Sequence, residues 1–164
     1  MQFQDVFTMA AEAQTISGSI EIASLTRLAD DLTNTSGALN YTLTGFINQQ
    51  RQPHLHITVQ GTLAMVCQRC LEPLSFEVDV DNVLHMVHSE ADLDSEEDEL
   101  NAILAGSDAP EKMVGSDMFD IFNLIEDEVI LSIPVANTHD VCDEKLPTSS
   151  GQKASAFDVL AKLK

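Results

Sequence analysis

Two runs of strict apolar alternation, one on each side of a Cys-x₂-Cys pair, constrain this chain more than any other feature. Leu55, Ile57, Val59, Leu63, Met65 and Cys67 share one parity, and His54, His56, Thr58, Gln60 and Thr62 share the other. Beyond the cysteines, Leu74, Phe76, Val78, Val80, Leu84 and Met86 repeat the pattern. Successive side chains of a strand point to opposite faces, so each run predicts a strand with one buried and one wet face. Leu39, Tyr41, Leu43 and Ile47 predict a third strand, and Ile16, Gly18, Ile20 and Ile22 a shorter fourth. The histidines His54 and His56 are expected on the exposed face, and His85 and His88, of opposite parity, carry no role.

Helical spacing is scarcer. After Ser116-Asp117, the residues Met118, Ile121, Phe122, Ile125 and Val129 fall on one face, which predicts a packed helix near 118–131. Asp117 and Asp120 suit the positive end of its dipole. A short helix is also expected from Ser24 to Leu32, with Leu25, Leu28 and Leu32 as its stripe. The expected fold is α+β, with a mainly antiparallel sheet of at least four strands, the packed helix and a short C-terminal helix. Residues 1–146 are expected to form one domain, interrupted by an acidic mobile loop at about 89–110. Seven of the ten residues from Glu90 to Glu99 are acidic. Asp92, Asp94, Glu96 and Asp98 imitate a calcium loop, but Glu97 stands where that loop needs glycine and Ile103 where it needs glutamate. Residues 147–153 have the composition of a flexible linker. Phe157, Leu160, Ala161 and Lys164 then recur at helical spacing, and three of the eight basic residues lie at or beyond Lys153. A docking peptide within 147–164 is one expectation from this pattern, and a frayed terminus is the other.

The chain has three cysteines, Cys67, Cys70 and Cys142, and the last follows His139 at H-x₂-C spacing. A tight turn with two intervening residues can aim two sulfurs at one metal, so Cys67, Cys70, His139 and Cys142 are candidate ligands of a structural zinc ion. Inert reduced thiols are an alternative, because free cysteine packs as a small hydrophobe. A thiol-redox pair is another, although the strand patterns and Pro73 around the motif differ from the helix N-terminus such pairs use. Cysteine is too scarce for a disulfide scaffold.

The formal net charge is −19, from 27 acidic and 8 basic residues. Such a field repels phosphate backbones and favours basic partners, so unaided nucleic-acid binding is not expected. No apolar run approaches the ~18 residues of a membrane span, and the start at Met1-Gln2-Phe3 lacks a secretory pattern. A cytoplasmic location, no membrane and no small-molecule substrate are expected. Gly-rich phosphate loops and the G-x-S-x-G and H-E-x-x-H motifs are missing. Glu126, Asp127 and Glu128 are consecutive on the expected helix. They read as its polar face, or as a patch for Arg or Lys of a partner.

Three separated blocks resemble one family. Cys67-Gln68-Arg69-Cys70-Leu71-Glu72-Pro73, then Leu124-Ile125-Glu126-Asp127-Glu128-Val129-Ile130-Leu131-Ser132-Ile133-Pro134, then His139 and Cys142 are similar to the YceD family of large ribosomal RNA subunit accumulation proteins. Phe157-Asp158-Val159-Leu160-Ala161-Lys162-Leu163-Lys164 resembles the family's closing motif. The resemblance implies a non-enzymatic factor for synthesis, processing or stability of large-subunit (23S) ribosomal RNA, acting through large-subunit assembly. Some relatives carry four cysteines at these half-sites, whereas this chain offers His139 with Cys142. The partners implied are ribosomal proteins or assembly factors, met by Arg69, Glu126, Asp127, Glu128, Phe157, Leu160, Lys162 and Lys164. Arg69 and the tail lysines could add local phosphate contacts. The rival expectations are an acidic inhibitor or nucleic-acid mimic for a basic partner, and a zinc-dependent or thiol-redox protein.

Overall fold

The computed structural model describes residues 3–93, 100, 103, 104, 106 and 110–142. The chain is α+β. In chain order it forms β1 (Phe3–Gln4), α1 (Val6–Ala11), β2 (Thr15–Glu21), β3 (Leu32–Asn34), β4 (Ala38–Ile47), β5 (Pro53–Val66), β6 (Pro73–Val87), β7 (Glu111–Val114), β8 (Phe119–Asp120) and α2 (Ile121–Ser132). The main sheet has six strands in the order β2-β4-β5-β6-β7, with β3 added to β5. Every pairing is antiparallel except β6 with β7. A separate two-stranded ladder joins β1 to β8.

Alternation decides which face is buried. The register sets Tyr41 against Val59, Leu43 against Ile57, Leu55 against Leu84 and Val59 against Val80, so the apolar parity of three strands converges on one face. Val6 and Met9 of α1, and Ile121, Leu124, Ile125 and Val129 of α2, close that face into one core. Truncating any of these fully buried aliphatic side chains to alanine costs roughly 2–5 kcal/mol. At Gly45 the backbone of Met9 comes so close that a Cβ would sit 2.5 Å from it, so only glycine lets α1 rest on β4.

Three expectations need correction. The helix begins at Ile121 instead of Met118, because Phe119 and Asp120 pair with β1 and Asp120 caps the first turn through Phe122 N–H and Asn123 N–H. Met118 is accordingly exposed. Two short 3₁₀ turns, Ile22–Ser24 and Thr26–Asp31, stand where one helix was expected, and they still bury Ile22, Leu25 and Leu28. His54 is buried, 4% exposed, although its parity is polar. It stacks between Phe46 and His85, with ring centroids 5.3 and 4.9 Å away, so neighbouring rings cover the outer face there. His56 follows its parity and meets Asp81 at 2.6 Å.

Glu90–Asp92 forms a 3₁₀ turn, with the Ser89 hydroxyl donating to Asp92. The rest of the acidic run from 94 to 99, the linker and the expected C-terminal helix lie outside the described residues. Among the described residues no helix is long and apolar enough to cross a membrane.

Candidate metal centre

β5 and β6 are the two longest strands, and the turn that joins them is the base of the site. Cys67 N–H donates to the Glu72 carbonyl at 2.9 Å and Leu71 N–H to the Cys67 carbonyl at 2.9 Å, which closes the loop and aims Cys67 and Cys70 the same way. Leu71, with φ of 64°, takes the left-handed conformation the reversal requires. Cys67 is fully buried, as its apolar parity demands.

The other half-site arrives on the segment after α2. Gln68 N–H donates to the Asn137 carbonyl at 2.8 Å, and Arg69 donates to the His139 carbonyl through Nη2 at 2.7 Å and to Cys142 Sγ through Nε at 2.9 Å. His139 N–H reaches Cys67 Sγ at 3.5 Å. These bonds bring Cys67, Cys70, His139 and Cys142 together, with one donor atom of each within 4.8 Å of all the others.

The spacing suits a tetrahedral ion. Zinc–sulfur bonds of about 2.3 Å and zinc–nitrogen bonds of about 2.1 Å imply edges of roughly 3.8 Å between sulfurs and 3.6 Å from sulfur to nitrogen. The Cys67 and Cys142 sulfurs are 3.7 Å apart, and His139 Nδ1 lies 3.4 Å from Cys70 Sγ and 3.9 Å from Cys142 Sγ. On its far side His139 Nε2 is 3.1 Å from the Pro73 carbonyl. A carbonyl only accepts, so Nε2 carries a hydrogen, and in the neutral imidazole that leaves the Nδ1 lone pair facing the sulfurs. Such an outer hydrogen bond is the usual way a ligating histidine is oriented. Four protein donors around one ion would make a closed, structural type of site.

The electrostatics point the same way. Burial raises the Cys67 thiol, but the N–H groups of Cys70, His139 and Arg69 outweigh it and hold it down to about 5. For Cys70 the Glu72 N–H pulls downward, yet burial beside the Cys67 and Cys142 sulfurs pushes it up to about 11. The hydrogen bond with Cys142 raises the His139 imidazole above its ordinary range. One thiolate is thus favoured while a second is opposed by its neighbour, a conflict that a dication among the sulfurs removes.

The other expected site residues fall elsewhere. Arg69 is committed to the segment it clamps. Glu126 is 6% exposed, and its two oxygens accept from Arg27 N–H at 2.8 Å and Arg27 Nε at 2.9 Å. Asp127 accepts from Arg27 Nη1 at 2.6 Å. Glu128 is 5% exposed and accepts from Asn82 Nδ2 at 3.1 Å. Burial raises its carboxyl, Asn82 opposes that, and Glu111 and Asp127 add to it. The patch expected to meet a partner's cation therefore holds the chain's own Arg27, and Glu126 and Glu128 are not on a solvated polar face. Phe157, Leu160, Lys162 and Lys164 lie outside the described residues.

Sequence reasoning missed Arg27, Asn82, Asn137 and the Pro73 carbonyl. Each acts across a long sequence gap, and only Pro73 stands within a block that the sequence singles out. A polar Asn137 two residues before His139 was the one available cue.

No solved structure was found to match this chain. The family model for the large ribosomal RNA subunit accumulation protein YceD matches residues 55–164, from the third residue of β5 through both halves of the cysteine–histidine cluster, and the chain belongs to the YceD family.

Proposed function

We propose that the protein is a non-enzymatic factor that promotes accumulation of 23S ribosomal RNA by binding components of the assembling large subunit, in the compartment where ribosomes are built. The family match carries this reading, because the family is named for large ribosomal RNA subunit accumulation and the match includes the whole candidate metal centre. Zinc is the metal best suited to three sulfurs and one imidazole, and here it is structural: it ties the segment after α2 to the β5–β6 turn. The net charge of −19 sets the partner's chemistry. An acidic surface attracts the basic ribosomal proteins or an assembly factor, and the RNA is reached through them.

Removal of the gene tests this. The expected result is a fall in large-subunit relative to small-subunit ribosomal RNA, restored by the wild-type chain. An unchanged ratio in the deletion strain would refute the role.

A further inference from the structure

A groove of about 440 Å³ runs between β2 and the first turn of α2 and shares no residue with the metal centre; Ser19, Ile20, Glu21, Leu25, Phe122 and Glu126 are among its walls. Its floor is apolar. Ile20 and Leu25 are buried, and half-buried Phe122 stands edge-on to Tyr41 with centroids 6.4 Å apart. Gly18 makes room for that Tyr41 ring, since a Cβ there would lie 2.8 Å from the tyrosine oxygen.

One wall is a strand edge. β2 ends the sheet, paired with β4 on one side only among the described residues. The rim is acidic. Glu126 is occupied by Arg27, and Asp120 is engaged by the N–H groups of α2, but the exposed Glu21 carboxylate has no hydrogen bond or ion pair among the described residues. Arg27, held by Glu126 and Asp127 beside the groove, shows how a guanidinium is bound on this surface.

An unpaired edge recognises an extended backbone, an apolar floor accepts the methylene stem of a long basic side chain, and a free carboxylate accepts its charged head. A second copy of this chain is a poor occupant, because each carries a net charge of −19. We propose that the groove binds an extended lysine- or arginine-bearing segment of a protein partner, added as a strand to β2, with one basic side chain across Phe122 and its head at Glu21. The partner's basic character rests on the function proposed above; the groove and its chemistry stand apart from it.

The probe is a labelled peptide of about ten residues with alternating lysine and valine, long enough to pair along a strand, titrated into the full-length protein at low salt. Bound peptide slows deuterium exchange of the backbone amides of Thr15–Glu21. Glu21→Lys weakens binding about tenfold, the effect of losing one well-placed charge pair. Ser19→Lys, which leaves every described hydrogen bond intact, weakens it in the same direction. Glu77→Lys on β6 makes the same change in net charge and is the control, with less than about a twofold effect expected from diffuse charge. Equal losses in Glu21→Lys and Glu77→Lys, or no protection of β2, overturn the groove. Ribosomal particles captured equally by wild type and Glu21→Lys also overturn it. Peptide binding that follows this pattern in a protein that captures no particles supports the groove and refutes the assembly role alone.

Discussion

Two buried carboxylates on one turn of α2 are held in different ways, and each has its own expected response to substitution. Glu126 is held by Arg27, which supplies both a backbone and a side-chain donor. Arg27→Ala removes the cation and leaves Glu126 with the N–H alone. A loss of about 1–2 kcal/mol in urea unfolding is expected, less than for a fully buried pair because the arginine is half exposed. Pairing Arg27→Ala with Glu126→Gln should recover part of it. Glu128 has one neutral donor, Asn82, and its folded pKa lies above the ordinary 4.5. A raised folded pKa means that the native state binds more protons than the unfolded state as pH climbs past 4.5, so the wild type loses stability across that window. Glu128→Gln should match wild type near pH 4 and exceed it at pH 7 by on the order of 1 kcal/mol. Equal urea midpoints at both pH values would show that Glu128 is not desolvated. The acids themselves were visible in the sequence as Glu126-Asp127-Glu128, but their partners were not. Arg27 lies about a hundred residues upstream, and no spacing rule links residues so far apart.

At the level of elements, the β5–β6 hairpin and the segment carrying His139 and Cys142 form one unit. Alternation of period two placed both strands and put Cys67 at the strand end, because burial on one face leaves a direct mark on sequence. The x₂ spacing marked two half-sites for the same reason that the turn exists. The clamp around them was not legible, since the Arg69, Asn137 and Pro73 contacts depend on how the segment returns after α2. The start of α2 was misread because Met118 continues the helical spacing, while the two-residue pairing of β8 with β1 is too short to show a strand period. The hairpin and the returning segment should lose order together. Cys67→Ser, or chelation of the wild-type protein, is expected to lower Tm by on the order of 10 °C and to release one zinc per chain. The same Tm with and without chelator would identify the cluster as plain thiols.

Over the whole molecule, the sheet has one face closed by α1 and α2 and another that is largely polar, with His56, Thr58 and Gln60 following the parity predicted for them. His54 departs from it because Phe46 and His85 roof it over, a tertiary effect that the alternation of one strand does not encode. The groove at β2 was likewise beyond sequence, since it joins a strand edge to the start of a helix about a hundred residues away. Charge operates at this largest scale. A chain of net charge −19 attracts basic surfaces, and the four donors of the cysteine–histidine cluster would leave an ion held there no open position. The most direct test is a low-salt pull-down with the tagged full-length protein, identifying retained RNA and proteins and then raising the salt. Large-subunit precursor particles with their ribosomal proteins, released as salt rises, are the predicted result. A single basic protein recovered without ribosomal RNA would contradict the assembly role and establish an acidic inhibitor in its place.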